Sequence, residues 1–305
     1  MPNARQWSTA RERARLYAAL RGWFAQAGFL EVETPAMVPL PGLEPHIDPF
    51  PVKDRWLHTS PEYTMKRLLA DPGCPPIFQL CKVYRDEPPS VTHNPEFTML
   101  ELYRPGASYE QVMRDTEGAL SAAGGLFAKT PYERLTVRDA MLRHAGVDWQ
   151  KHADAASFAK AANVRARDDD TWDDVFFRIF LDLVEPKLHE PTFIIEYPAS
   201  MASLAKVKGD VAERVELYAR GVELANGFSE LNDAAEQRRR FEDEQRQRRE
   251  AGRPAFPIDE KFLAAVGRMP QCTGIAIGVD RVLMLLTGAA SIADVLLFPA
   301  AEFDA

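Results

Sequence analysis

The sequence predicts an α+β fold in which a mainly antiparallel sheet is flanked by helices. Three observations lead there. The runs IFQLCKVYRDE (77–87) and FTMLELY (97–103) are strand-like and are separated only by the Pro-rich loop 88–95, the pattern of a long hairpin. VAERVELYARGVELANGFSEL (211–231) reads as two further strands turning near Gly221. The helical patterns lie outside these runs, at 9–27, 175–188, 235–252 and after TGIAIG at the end of the chain.

In chain order, residues 9–27 carry Leu16, Leu20, Trp23 and Phe24 at helical spacing with charged residues between them. Gly28 ends this helix, and FLEVETP follows as a short strand closed by Pro35. Residues 36–55 hold Pro39, Pro41, Pro45, Pro49 and Pro51 without a period and read as a loop. LHTSPEYTMKRLLA passes from a strand end into a helix, with Ser60 as N-cap and Pro61 in the first helical position. Residues 107–162 read as interrupted helix, and 163–173 as polar loop or exposed helix start. VFFRIFLDLVEPKL is a helix stopped near Pro186, and TFIIEYP a strand. AEQRRRFEDEQRQRREAG is a charged helix whose spacing pairs Glu242 with Arg246 and Glu244 with Arg248, the pattern of a solvated face. TGIAIGVDRVLMLLTG is a strand turning into an apolar helix. No repeat or linker divides the chain, so one domain over 1–305 is expected.

Composition narrows the function. With a net charge of −8 and a pI near 5.4, the chain is a poor candidate for broad nucleic-acid binding. Cys74, Cys81 and Cys272 form no C-x-x-C pair, which argues against a zinc site or disulfide framework and points to a reducing cytosol. The charged N-terminus lacks the apolar stretch of a secretory signal, and the most apolar run is broken by Asp280 and Arg281. The six histidines form neither H-E-x-x-H nor a nucleophile arrangement, and no P-loop or dinucleotide fingerprint is present.

Several residues could carry chemistry without a nucleophile. Alternation puts Phe97, Met99, Glu101 and Tyr103 on one face and Thr98, Leu100 and Leu102 on the other. Phe97 and Glu101 then lie about 13 Å apart, an aromatic platform at one end and an anion at the other. Arg85 ends the preceding strand, where a guanidinium can take phosphate or carboxylate oxygens in pairs. Glu216, Glu223 and Glu230 recur at seven-residue spacing, and carboxylates of this kind can share Mg²⁺ with phosphate oxygens. Taken singly, each feature also fits an ordinary surface strand or ion pair.

Together the segments resemble class II aminoacyl-tRNA synthetases. GFLEVETP is similar to motif 1 of that family, YRDE…HNPEFTMLELY to motif 2 and GIAIGVDR to motif 3, in the same order. TSPEYTMKRLL, HNPEFTMLELY and ELANGFSELND place the resemblance in the lysine subgroup. Motif 1 begins by residue 28, which leaves no room before it for the anticodon-binding barrel of lysyl-tRNA synthetases, so no anticodon domain is expected. A core-only, lysine-type chain resembles the elongation factor P–(R)-β-lysine ligase family. Ala276 stands where the synthetases usually have glycine, and Ser60 where they usually have alanine; both follow the ligase pattern.

The resemblance implies a class II synthetase-like core, ATP and Mg²⁺ as cofactors, and lysine or (R)-β-lysine as the activated amino acid. It implies elongation factor P as protein acceptor and a homodimer, and argues against tRNA and membrane partners. It also implies roles. Arg85 binds the α-phosphate and Phe97 stacks on adenine, with Arg281 over the other face; these two arginines carry the catalysis. Asp86, Glu87, His93, Asn94, Leu217 and Gly278 belong to the nucleotide site, and Glu216 and Glu223 hold the metal. Ser60, Pro61 and Glu62 stand at the amino-acid end, with Glu62 receiving the amino group. Glu101, Tyr103 and Glu230 hold the distal ammonium, Asn226 touches the substrate carboxylate, Glu223 lies alongside, and Ala276 narrows the pocket floor. Asp86, Thr92 and the Pro88-Pro89 pair depart from the family's usual motif 2 loop. Two other readings stay open: a truncated synthetase that charges tRNA or a free amine, and a non-catalytic lysine- or ATP-binding paralogue. Retention of Arg85 and Arg281 speaks against the second.

Overall fold

The computed structural model describes residues 4–302. Its helices are α1 (Ala4–Gln26), α2 (Glu62–Leu68), α3 (Tyr109–Ala123), α4 (Val137–Ala145), α5 (Ala155–Ala161), α6 (Trp172–Ile179), α7 (Ala234–Glu250), α8 (Glu260–Val266) and α9 (Val279–Thr287). The strands are β1 (Leu30–Glu31), β2 (Met37–Val38), β3 (Pro51–Val52), β4 (Arg55–Leu57), β5 (Ile77–Tyr84), β6 (Glu96–Pro105), β7 (Glu133–Thr136), β8 (Thr192–Pro198), β9 (Val207–Lys208), β10 (Val211–Ala219), β11 (Val222–Ser229) and β12 (Cys272–Gly278). The main sheet runs β1-β5-β6-β12-β11-β10-β8-β7, with β9 paired to β10. Only its two edges are parallel, β1 on β5 and β7 on β8. The expected α+β class and mainly antiparallel sheet are thus what the chain forms.

The two expected hairpins form its centre. β5 and β6 pair from Ile77↔Tyr103 to Tyr84↔Glu96, and β10 and β11 turn through Gly221, whose φ of 68° suits a residue without Cβ. β12 lies between β6 and β11, so the last strand of the chain joins the two hairpins. Strand alternation then divides the core. In β10, Val215, Leu217 and Ala219 join the cluster formed with α1, α3 and α9, while Ala212 and Tyr218 join the cluster formed with α4 to α8. Phe24 of α1 is fully buried, stacked 4.6 Å from Phe78 and edge-on to Phe29, which fixes the first helix under β5.

The structure corrects several local readings. The first helix begins well before residue 9, and FLEVETP contributes only the two-residue β1. The 36–55 loop contains the small sheet β2-β4-β3. α2 starts at Glu62 with Pro61 as its N-cap, so Ser60 lies outside the helix; its hydroxyl nevertheless accepts the Glu62 N–H at 3.1 Å. In α7 the expected Glu242–Arg246 and Glu244–Arg248 pairs are replaced. Arg246 pairs with Asp243, and Arg248 turns inward to Asp48. Arg248 is fully buried, so α7 is a docked helix rather than a purely solvated face. Among the described residues, no helix is long and apolar enough to cross a membrane.

Candidate active site

A cavity of about 290 Å³ opens on the sheet face opposite α1, α3 and α9, across β6, β12 and β11. Phe97, Met99, Glu101 and Tyr103 all line it, as the alternation of β6 requires, while Leu100 and Leu102 are fully buried on the other face. The residues assigned to its nucleotide end also converge: Arg85, Glu87, His93, Asn94, Gly278 and Arg281 are on its wall. So are Ser60, Glu62, Glu223, Asn226, Glu230 and Ala276. Pro61, Asp86, Glu216 and Leu217 do not line it.

At one end, the Arg85 guanidinium lies 5.2 Å from the Phe97 ring centroid. Its Nε is buried without a hydrogen-bond partner, and no carboxylate among the described residues stands at ion-pair distance. Burial lowers its pKa against the opposing pull of Glu87, Glu44 and Glu223. A desolvated guanidinium held this way is suited to an anionic ligand. Arg281, expected over adenine, lines the cavity and is held there by protein groups. It donates to the carbonyls of Thr92 (3.2 Å) and Glu223 (2.9 Å) and lies 2.9 Å from His93 Nε2. The motif 2 loop and β11 are thus clasped by the motif 3 arginine. Partial burial and the charge of Arg281 lower the His93 pKa, which favours the neutral ring that accepts this contact. Asn94 is used within the loop: its amide donates to Glu96 O (2.7 Å) and its oxygen accepts from Ala300 N (3.0 Å). Asp86 N–H donates to Asp48 O (2.8 Å), tying the loop base to segment 39–50.

Behind Arg281, Asp280 is buried, forms an ion pair with Arg13 at 2.5 Å and accepts a hydrogen bond from Thr98 N at 2.6 Å. One carboxylate therefore ties the first helix, the Phe97-bearing strand and the Arg281-bearing helix. An added Cβ at Gly278 would meet only ordinary contacts, the nearest 3.6 Å away. The protein's own packing therefore does not demand a glycine there.

At the other end, Ser60 Oγ donates to Glu101 Oε2 and Tyr103 OH to Glu101 Oε1, both at 2.6 Å. Burial, reinforced by Glu62, pushes the Glu101 carboxyl up to about 8. Lys66 is 1% exposed, and its ammonium bridges Glu62 and Glu230, each at 2.5 Å. Burial raises the Glu230 carboxyl to about 7 against that pull. The sequence reading missed both Lys66 and Gly274. A Cβ at Gly274 would fall 2.3 Å from the Tyr103 ring and 2.8 Å from Glu230, so glycine is what lets these two side chains converge. Ala276 is directly opposite Glu101 on one side and Asn226 on the other, the place expected for a pocket floor. Asn226 Oδ1 accepts from Arg214 Nε (3.2 Å), which leaves its NH₂ as the group available to a carboxylate.

The acidic pair assigned to the metal is only partly open. Glu223 lines the cavity, 3.9 Å from Arg281, and its pKa is raised by burial and by the charge of Glu216. Glu216 is buried, with its carboxylate taken by Arg214 and by the hydroxyls of Tyr197 and Tyr218. Leu217, the next residue, points by alternation into the apolar core, so its side chain takes no part.

The comparisons agree with this geometry. Residues 2–302 match the family described as tRNA synthetases class II (D, K and N). The chain is 42% identical over 309 aligned residues to the elongation factor P–(R)-β-lysine ligase of Salmonella typhi, covering 94% of this chain and 93% of that protein. The ligases of Salmonella paratyphi B and Salmonella heidelberg show the same identity and coverage. With motifs 2 and 3 meeting at one cavity and its similarity running the length of the chain, this protein belongs to the class II tRNA synthetase family, in the branch that contains the elongation factor P–(R)-β-lysine ligases.

Proposed function

We propose that the chain activates (R)-β-lysine, or lysine, with ATP and transfers it to a lysine side chain of elongation factor P. The observation that carries this reading is the pairing of two ends in one cavity: the unpaired buried Arg85 beside Phe97, and the enclosed acids Glu62, Glu101 and Glu230 around a single internal cation, Lys66. Three carboxylates and one ammonium leave two negative charges when all are ionised, which matches a diamino acid.

In the first step the substrate carboxylate attacks the α-phosphorus of ATP and pyrophosphate leaves. The carboxylate is ionised at neutral pH, so no general base is needed and catalysis rests on alignment and charge. Phe97 and Arg85 orient the base and the α-phosphate. Asn226 steadies the substrate carboxylate, and Arg281 holds the loop over the nucleotide. Mg²⁺ takes one or two carboxylates together with phosphate oxygens and waters. Glu223, at the cavity wall, would hold the ion; Glu216, whose carboxylate is taken by Arg214, Tyr197 and Tyr218, would join it only on releasing one of these donors, and the ion would supply positive charge to the phosphates.

Homodimer formation is supported by the large apolar side chains left exposed in the first segment, Trp7, Leu30 and Met37. The acidic net charge supports a protein rather than a tRNA acceptor, and three free cysteines support a cytoplasmic setting. The test is ATP–pyrophosphate exchange with each lysine isomer. Exchange that depends on (R)-β-lysine or lysine, and on no other amino acid, is the expected result.

A further inference from the structure

The transfer step leaves one requirement without a residue. An alkyl ammonium ordinarily has a pKa of about 10.4, so it must shed a proton before its nitrogen can attack. The acids already described are committed. Glu62 and Glu230 hold Lys66, Glu101 accepts two hydroxyls, and Glu216 holds three donors. Glu87 and Glu223 stand on the phosphate side with Arg85 and Arg281.

Glu44 is different. It lies in segment 39–50, which the sequence shows only as a Pro-rich loop, yet it lines the cavity. Its carbonyl accepts from Arg248 Nη1 at 2.8 Å, and the same fully buried arginine holds Ile47 O and Asp48. The backbone at Glu44 is therefore fixed. Its carboxylate curls over Gly42, where an added Cβ would fall 2.1 Å from Oε2. Among the described residues, no other side chain donates to it. The charges facing it are Glu62 and Lys66 of α2, Arg85 at the end of β5 and Glu244 of α7, with the Tyr63 hydroxyl alongside. It thus shares the cavity wall with the acid assigned to the substrate amino group and the arginine assigned to the α-phosphate. Burial and Glu62 raise its pKa, which makes its carboxylate a better proton acceptor than an exposed one. Glu44 also belongs to the wall of a second cleft, lined by Val38, Leu40 and Tyr63, which shares Ser60 and Glu62 with the cavity. Its apolar side chains can line the stem of an alkyl amine, beside these acids and the polar His58, Thr64, Arg67 and Asp259.

We propose that Glu44 accepts the proton of the incoming amine, an inference that rests on the aminoacyl-transfer reading above. One proton of the ammonium passes to the Glu44 carboxylate. The freed nitrogen pair bonds to the carbonyl carbon of the adenylate. The bond from that carbon to the AMP oxygen breaks, its electrons leave on AMP, and the second nitrogen proton goes to an AMP phosphate oxygen.

The test separates the two half-reactions. Glu44→Gln is expected to lower transfer to elongation factor P, and to n-butylamine as a simple acceptor, by about 10²-fold or more. ATP–pyrophosphate exchange should stay within about twofold, as expected of a group that acts only after the adenylate has formed. Trapping of the adenylate by hydroxylamine, which is largely unprotonated at neutral pH, should be unchanged. Glu44→Asp keeps a carboxylate and should recover part of the transfer rate. Unchanged transfer in Glu44→Gln, an equal fall in exchange, or an equal fall in hydroxamate formation overturns the assignment. Failure of the wild-type protein to catalyse any exchange would instead overturn the underlying reading.

Discussion

The ammonium of Lys66 lies 2.5 Å from the carboxylate of Glu230, with both side chains almost completely buried. The same ammonium reaches Glu62 at 2.5 Å, one helical turn away. Two acids on the cavity wall therefore share a buried lysine cation behind them. Removing it leaves two buried carboxylates uncompensated. Lys66→Met is expected to destabilise the fold by about 3–5 kcal/mol, measured by urea unfolding. A loss below about 1 kcal/mol would show that the bridge is not a structural tie.

Glu101 carries the clearest pH signature. Its carboxyl is raised to about 8, against about 4.3 for an ordinary glutamate, so the folded state binds the proton more tightly than the unfolded one. Its contribution favours folding at low pH and is lost as pH rises from about 5 to about 8. Substrate-free protein should lose stability across that window, and Glu101→Gln should flatten the slope. At pH 7 an arriving ammonium should expel the proton. Calorimetric titration of lysine in two buffers of different ionisation enthalpy should show proton release; identical enthalpies in both buffers would contradict it.

Among the described residues Arg85 has no carboxylate at ion-pair distance, so its removal should disturb the reaction more than the fold. Arg85→Ala is expected to reduce ATP–pyrophosphate exchange by at least ~10²-fold while leaving the unfolding midpoint nearly unchanged. Normal exchange in the folded variant would remove Arg85 from the mechanism.

Ala276 lies between Glu101 and Asn226 across the sheet and lines the cavity. Ala276→Gly should shift the ratio of kcat/KM values toward α-lysine by about tenfold, the scale of one methyl group in a pocket. The measurement is exchange with each isomer over a concentration series, and an unchanged ratio would strip Ala276 of its role in selectivity.

Much of the site was legible because it depends on short-range rules. Period-two alternation placed Phe97, Glu101 and Tyr103 on one face, and the motif resemblance brought Arg85, Arg281 and the glutamates to them. Other features depend on contacts between distant segments. Lys66 is set apart from other charged helix residues by Glu230, which comes from just past β11, far along the chain. Arg248 had an acid four residues before it but turns to Asp48, two hundred positions away in the chain. Gly274 gave no signal of its own, since its reason is the convergence of Tyr103 and Glu230. Glu44 was hidden in a proline-rich run whose path is set by tertiary anchoring rather than by propensity.

The most direct test of the whole account is the intact mass of elongation factor P after incubation with the protein, ATP, Mg²⁺ and each lysine isomer. The account predicts an ATP-dependent gain of one β-lysyl residue, greatest with (R)-β-lysine and absent with Arg85→Ala. An unmodified elongation factor P alongside tRNA charged in the same mixture would contradict it.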